Sequence, residues 1–233
     1  MQIPPIDLVF ILMTTISGIV TFFLALLILK KDWKDLVNRL FSSVFFALSF
    51  GMMILGISNF LIAELNLFVT KIGYSLVFSA AVLLLATAIT LNYGSVIWQW
   101  HIILLFVGLI AFPFIFLIIL IPNSMYFPDT LAADVNMSTE ASLIYFPLLL
   151  LVGALTFWIF ATLYRQSSGT VKRRFGLFIV GYSVTLIGGA VPDLIANLFA
   201  DRFFDVLSAF LIALGSIIMY IGFNLKEKIG QEQ

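Results

Sequence analysis

Seven apolar runs, each long enough to cross a bilayer, constrain this chain more than any other feature of its sequence. A helix needs about 20 apolar residues to span the hydrocarbon core of a membrane. None of the runs contains a lysine or an arginine, and only the sixth contains an acidic residue, Asp193. They predict an all-α integral membrane protein, a seven-transmembrane-helix bundle that forms a single domain over residues 1–233. The predicted helices are about 8–29, 40–62, 72–91, 102–121, 141–163, 175–198 and 206–225.

The composition supports lipid as the main solvent of the chain. Hydrophobic residues make up 62% of the sequence and charged residues only 10%, and the mean hydropathy is +1.16. A soluble domain carries roughly 25% charged residues, enough to cover its surface. The absence of cysteine excludes disulfides and thiolate metal sites. The sequence therefore predicts a multi-pass protein of the cell membrane.

Lysine and arginine fall on one side of the predicted membrane. The first and fifth loops hold four basic residues each and the C-terminal segment holds two, whereas only Lys71 and Arg202 lie on the opposite side. Because basic loops stay in the cytoplasm, the N-terminus is predicted outside and the C-terminus in the cytoplasm. The first run has no basic residue before it and is followed by Lys30 and Lys31, so we expect a retained helix rather than a cleaved signal peptide. The outer side is acidic: Asp7, Glu64, Asp129, Asp134, Glu140, Asp201 and Asp205.

Two connections have compositions of their own. The segment Pro122–Glu140 is rich in Pro, Asn and Asp, which predicts an irregular loop outside the membrane, with an N-glycosylation tripeptide at Asn136. The segment Trp98–His101 is predicted to lie at the cytoplasmic interface as part of an aromatic belt. His101 is the one histidine of the chain and has no cysteine beside it, so it is a poor metal ligand.

The first three helices resemble the last three in sequence. The resemblance predicts a 3+1+3 parallel internal repeat, in which the fourth helix connects two triplets that enter the membrane in the same direction. The two triplets should then be related by rotation about an axis near the membrane normal. The paired segments are Gly18–Phe23 with Gly153–Trp158, Val37–Phe41 with Val171–Phe175, and Val77–Ala80 with Val206–Ala209.

Small residues at a spacing of four mark the expected helix contacts. In lipid, close packing replaces the hydrophobic effect between helices, so such stripes favour interfaces. Two prolines, Pro113 and Pro147, are positioned to kink the fourth and fifth helices. The stripes are Ser43, Ala47 and Gly51 in the second helix, and Gly181, Thr185 and Gly189 in the sixth.

The sequence lacks the residues that several kinds of chemistry require. The seventh helix has no lysine for a retinal Schiff base, and one histidine cannot supply the paired ligands of an intramembrane metalloprotease. No phosphate-binding loop, dinucleotide fingerprint or Ser/His/Asp set is present. We therefore expect no enzyme, no cofactor, no metal and no nucleic-acid partner.

The layout of loops and helices resembles a known family. A basic first loop with Asp35–Phe41 leads into a Phe-rich second helix, Val171–Phe175 precedes a helix containing Gly188–Pro192, and the last helix closes with Leu214–Gly222. This is similar to the N-terminal seven-transmembrane-helix sensor region of bacterial and archaeal histidine kinases and cyclases. The resemblance implies reception of a signal at the membrane and its transfer to a cytoplasmic output domain. Because only eight residues follow Leu225, we expect a stand-alone sensor or signalling subunit whose output is a separate cytoplasmic signalling protein.

A small-solute transporter is the alternative function. The 3+1+3 layout also resembles seven-helix sugar transporters of the SWEET and PQ-loop kind, although their Pro-Gln dipeptide is missing. In a repeat protein of this kind, the substrate site lies where the two halves meet. A transporter would move its solute across the membrane, whereas a sensor would bind it without flux.

Asp193 is the main candidate for binding an unknown small ligand. An ionisable residue within a membrane helix is costly and is a functional candidate by default. It follows Pro192, where we expect a break in the helix, and the repeat pairs it with Asn59. Asn197 lies one turn further on the same face. The three side chains are predicted to line a pocket that opens outward and takes a ligand or a cation; alternatively, Asp193 caps the broken helix or meets Arg202 at the surface.

Two basic clusters lie next to the membrane on the cytoplasmic side. Their simplest role is to set the topology. A second role is to dock anionic lipid or the acidic face of a partner protein, since each basic residue contributes roughly 1 kcal/mol near an anionic leaflet. The candidate docking residues are Lys30, Lys31, Lys34, Arg39, Lys172, Arg173 and Arg174.

Overall fold

Seven long helices account for most of the chain. The structure, a computed structural model, describes residues 5–61, 63–126, 135–199 and 202–225. All seven helices are long and apolar enough to cross a membrane, so the prediction of a seven-helix, multi-pass membrane protein is confirmed. The helices are α1 (Pro5–Lys31), α2 (Leu36–Ser58), α3 (Ala63–Tyr93), α4 (Trp100–Ile115), α5 (Thr139–Gln166), α6 (Gly169–Phe199) and α7 (Arg202–Asn224). A 3₁₀ turn (Ser95–Ile97) precedes α4, and a π turn (Phe116–Leu120) follows it.

Most helices extend beyond the apolar runs that predicted them. The largest difference is in α3, which begins at Ala63 instead of Ile72. Its first turns contain Asn66, Thr70 and Lys71, which are polar but buried. Hydropathy locates the part of a helix that contacts lipid, whereas backbone hydrogen bonding continues through polar residues into the interface.

Three sequence-based expectations for the outer side are corrected. The Pro122–Glu140 connection is not wholly irregular, because β1 (Met125–Tyr126) pairs antiparallel with β2 (Asn136–Met137). The helix does not break at Pro192, since α6 continues to Phe199. Asp193 is not the only acid within the helices: Asp7, Glu64, Glu140 and Asp205 also lie in them. The sequence also assigned a side of the membrane to five charged residues that lie outside the described residues: Asp129, Asp134, Asp201, Lys226 and Lys228.

Six helices form a closed ring. Each of the consecutive pairs α1–α2, α2–α3, α5–α6 and α6–α7 is in contact, and the pairs α3–α5 and α1–α7 close the circle. The remaining helix, α4, packs mainly on α3 and is the least buried of the seven. The ring order is therefore α1, α2, α3, α5, α6, α7, with α4 outside.

Glycines form the tightest contacts of this ring. An added Cβ at Gly51 would lie 3.1 Å from the Gly73 carbonyl oxygen on α3. An added Cβ at Gly181 would lie 2.6 Å from the Gly215 carbonyl oxygen on α7, and one at Gly189 would lie 2.8 Å from the Ile212 side chain. The prediction that the stripes face neighbouring helices is confirmed for these glycines, whereas the Ser43 hydroxyl donates to the Arg39 carbonyl oxygen of its own helix. Backbones that approach this closely gain the dispersion contacts on which association in lipid depends.

Buried hydroxyl groups add hydrogen bonds between the same helices. Ser42 and Ser49 of α2 donate to the α1 carbonyl oxygens of Ala25 and Gly18, at 2.9 and 2.7 Å. On the other side of the ring, Ser208 of α7 donates to the Gly189 carbonyl oxygen of α6 at 2.9 Å. Hydrogen bonds of this kind contribute modestly to association and fix the relative register of the helices.

Candidate functional site

Polar side chains are concentrated at the end of the ring that carries the acidic residues, here named the acidic end. It comprises the first turns of α1, α3, α5 and α7, the last turns of α2 and α6, and the β hairpin. Polar groups buried within a membrane protein are rare and mark candidate binding sites. Those buried here are Asp7, Ser58, Asn66, Thr70, Lys71, Ser124, Asn136, Ser142, Asn197, Asp205 and Ser208.

A cavity of about 50 Å³ lies within the acidic end, here named the outer cavity. A water molecule needs roughly 10–15 Å³ of such volume, so the cavity has room for a few waters or one small solute. Its apolar wall includes Phe10 of α1. Its polar wall comes from five helices: Thr14 of α1, Ser58 and the adjoining Asn59 at the end of α2, Thr70 and Tyr74 of α3, Asp193 of α6, and Asp205 and Ser208 of α7.

Asp193 is held by a hydrogen-bond network that joins three elements. The Tyr74 hydroxyl donates to Asp193 Oδ1 at 3.2 Å and accepts from Asn197 Nδ2 at 3.4 Å. The same Asn197 amide donates to the Asp193 carbonyl oxygen at 2.7 Å, and its oxygen accepts from the Met137 backbone N–H at 2.6 Å. Asn197 thus ties α6 to α3 and to β2.

A fourth element enters the network through a second tyrosine. The Tyr145 hydroxyl of α5 donates to the Tyr74 carbonyl oxygen at 2.8 Å. The two rings meet edge to face with their centroids 5.7 Å apart, an arrangement that adds to the contact. A change in the position of Tyr74 would therefore alter the contacts between α3, α5 and α6.

A second cavity, here named the middle cavity, adjoins the outer cavity on the side that faces away from the acidic end. Its volume is about 80 Å³, and its wall is mainly aliphatic. Val77, Asp193, Ser208 and Ile212 line both cavities. The Asp193 side chain therefore stands between a polar space at the acidic end and an apolar space in the centre of the ring.

Four phenylalanine side chains fill the space between the helices on the side of the middle cavity that faces away from the acidic end. Phe41 lies with its centroid 4.9 Å from those of both Phe45 and Phe178, and Phe178 lies 4.7 Å from Phe160. Phe41, Phe45 and Phe160 have no exposed surface. A third cavity of about 260 Å³ lies at the opposite end of the bundle, here named the basic end.

The seven candidate docking residues all lie at this basic end, and six of them are exposed. Arg174 is half-buried and donates from Nε to the Leu225 carbonyl oxygen at the end of α7. Lys31 Nζ lies 4.8 Å above the Phe223 ring, and Lys172 Nζ lies 5.0 Å above the Tyr164 ring. Lys31 and Arg174 therefore contribute to the fold as well as to the surface charge.

The structure brings together two of the three predicted ligand-binding residues. Asn59 and Asp193 both line the outer cavity, whereas Asn197 does not and instead orients Tyr74 and the β hairpin. Asp205 was missed because the predicted seventh helix began one residue later, at Val206. The side chain of Arg202, the alternative partner of Asp193, lies outside the described residues.

Within the described ranges, no group of three His, Cys, Asp or Glu residues lies close enough together to hold a metal ion. His101 is exposed at the start of α4. Comparison with protein-family models finds no match. A search of curated proteins also finds no relative.

Proposed function

We propose that this protein is a seven-helix sensor subunit of the cell membrane that binds a small ligand in the outer cavity. In this proposal the N-terminus and the acidic end face the outside, and the basic end faces the cytoplasm. The observation that carries the proposal is the position of Asp193, which lines the cavity and is also hydrogen-bonded to Tyr74. Binding and signalling, rather than catalysis, is the role that follows from this arrangement.

The network around Asp193 supports a conformational response. A ligand that hydrogen-bonds Asp193 competes with the Tyr74 hydroxyl, and Tyr74 is linked to α5 through Tyr145. A ligand shifts an equilibrium between two conformations only by its differential affinity for them. A ligand that binds better when the hydrogen bond between Tyr74 and Asp193 is broken has such a differential affinity. The long helices then transmit the resulting movement to the basic end. The proposed resemblance to histidine-kinase sensor regions is consistent with this direction of signalling.

The ring order supports the proposed 3+1+3 repeat. A two-fold axis along the ring would exchange α1 with α5, α2 with α6 and α3 with α7. It would then exchange the α3–α5 contact with the α1–α7 contact, and both exist. Thr21 and Thr156, which the repeat pairs, are both fully buried and both hydrogen-bond one turn back. Asn59 and Asp193, paired in the same way, share the outer cavity.

Docking of a separate cytoplasmic signalling protein is proposed at the exposed basic residues. Changing Lys34, Arg39 and Arg173 to Gln should weaken the association of that protein with the sensor by roughly tenfold, and so lower its recovery, since each exposed charge pair contributes about 0.2–1 kcal/mol. The measurement is co-purification from native membranes at low salt, with the retained protein identified by mass spectrometry. These three side chains are exposed, so membrane insertion and thermal stability should be unchanged.

Two results would contradict the docking role. One is equal recovery of the signalling protein with the wild-type and triple-Gln proteins. The other is the absence of any signalling protein under every condition, together with an unchanged cellular response after deletion of the gene.

Transport of a small solute is the second candidate, favoured by the placement of cavities along the ring. The outer and middle cavities share four wall residues, and the third lies beyond the aromatic rings. Uptake into proteoliposomes separates the two functions. The sensor proposal predicts saturable binding without accumulation inside the vesicles, whereas accumulation above that of empty vesicles would favour transport.

A further inference from the structure

We propose that the cavity at the basic end is a binding site for a single-chain anionic amphiphile taken from the adjoining membrane leaflet. In this proposal the anionic head, a phosphate or carboxylate, lies between Lys31 and Arg174, and the alkyl chain fills the cavity. The site is distinct from the outer cavity at Asp193, since the aromatic rings of Phe41 and Phe178 lie between them.

The position of this cavity is central rather than peripheral. Residues from all six helices of the ring line it, including Thr87 of α3 and Phe160 of α5. At about 260 Å³ it is the largest of the three cavities. An apolar cavity of roughly 150 Å³ is already large enough to bind benzene, so this one can hold a longer hydrocarbon segment.

The wall of the cavity suits an alkyl chain. Phe41, Phe160 and Phe178 are buried and form its inner surface. The uncharged polar members of the wall already use their donors, since Asn38 Nδ2 donates to the Asp32 carbonyl oxygen and the Thr87 hydroxyl donates to the Leu83 carbonyl oxygen. A hydrated inorganic ion would find few hydrogen-bonding groups in the interior, whereas hydrocarbon loses nothing by entering it.

The rim of the cavity suits an anionic head. Lys31 lies over the Phe223 ring, and Arg174 uses its Nε–H to bind the Leu225 carbonyl oxygen. A guanidinium has five N–H donors, so four remain. Among the described residues, no carboxylate forms an ion pair with either cation. The two cations at the rim match the anionic head of such a molecule, and the apolar cavity matches its alkyl tail.

Dodecyl phosphate is the probe for this site. The full-length protein is placed in nanodiscs of zwitterionic lipid and titrated calorimetrically, with empty nanodiscs as the reference for simple partitioning. We expect saturable binding at one site per protein. Inorganic phosphate, which has no chain, and dodecanol, which has no charge, should each show no saturable binding. Saturation by inorganic phosphate alone would overturn the amphiphile and assign the rim to a free anion.

Paired variants separate the cavity from the surface charge around it. Lys31→Gln with Arg174→Gln should weaken binding by at least about tenfold, because it removes both charge-assisted contacts. Lys30→Gln with Arg173→Gln removes the same charge from exposed positions that do not line the cavity and should leave affinity unchanged. An equal loss of affinity in the two double variants would show that only the surface charge attracts the amphiphile, and would overturn the proposal.

A filling variant tests the same site without altering charge. Val37 is half-buried in the cavity wall, and Val37→Phe should block the chain while Arg174 keeps its bond to Leu225. Unchanged affinity in this variant would overturn the assignment of the tail to the cavity. Binding that occurs only after removal of residues 226–233 would overturn it as well, since the chain's own C-terminal segment would then be the occupant.

Discussion

Replacing Gly215 by valine is expected to lower the free energy of unfolding by about 3 kcal/mol or more. An added Cβ at Gly215 would lie 2.5 Å from the Gly181 carbonyl oxygen and still closer to the Thr185 hydroxyl. Both neighbours are on α6, and one is backbone, which cannot rotate away. The α6–α7 contact would have to open along its length, and in lipid no hydrophobic gain compensates for the lost packing.

Gly108→Val is the matched control for this prediction. Gly108 also lies within a helix, α4, but nothing lies within 4 Å of an added Cβ there. Its expected effect is within about 0.5 kcal/mol. Thermal unfolding of both variants in the same detergent provides the comparison. A Gly215→Val protein as stable as the Gly108→Val protein would show that α6 and α7 do not pack at this distance.

Asp193→Asn is expected to weaken ligand binding at the outer cavity while leaving the fold intact. Asparagine has the same size and its oxygen can still accept the hydrogen bond from Tyr74, so the network around the site is preserved. The negative charge is lost, and a hydrogen bond to a charged group is worth about 1.5–3 kcal/mol. The expected loss of affinity is therefore about 10- to 100-fold.

Thermal-shift measurement on the purified protein tests this expectation. A panel of small polar solutes is screened for one that raises the melting temperature of the wild-type protein, and that solute is then applied to the variants. Glu64→Gln is the control, because Glu64 is exposed at the acidic end and does not line the cavity. An equal shift in the wild-type and Asp193→Asn proteins would remove Asp193 from the site.

The seven spans were predictable from the sequence because hydropathy measures directly what lipid requires. The same measure fails at the helix ends, where Asn66 and Lys71 are polar but lie within α3 and are buried. Asp205 lies in the first turn of α7, so the sequence predicted it only as a charge on the outer side and not as a residue of the cavity wall. Small-residue spacing located contacts such as Gly181 with Gly215 without indicating which helix would be the partner.

The candidate site was predictable only in part. Asp193 stands out in the sequence as an acid within an apolar run, and the repeat pointed to Asn59. Tyr74 and Tyr145 carry no such signal, since a tyrosine in a membrane helix is common at interfaces. Their roles depend on contacts between residues far apart in the chain, as when Tyr145 bonds the backbone of Tyr74. The β hairpin, whose Met137 N–H donates to Asn197, likewise arises from tertiary pairing.

Cysteine labelling at Asn59 tests whether the outer cavity faces the outside of the cell, and the chain has no cysteine of its own that would react. Asn59 is half-buried and lines the outer cavity, whereas Lys30 is exposed at the basic end. A membrane-impermeant trimethylammonium methanethiosulfonate is added to intact cells expressing Asn59→Cys or Lys30→Cys. We expect Asn59→Cys to be labelled in intact cells and Lys30→Cys to react only after the cells are opened. Labelling of Lys30→Cys in intact cells, with Asn59→Cys protected until lysis, would contradict an outward-facing ligand cavity.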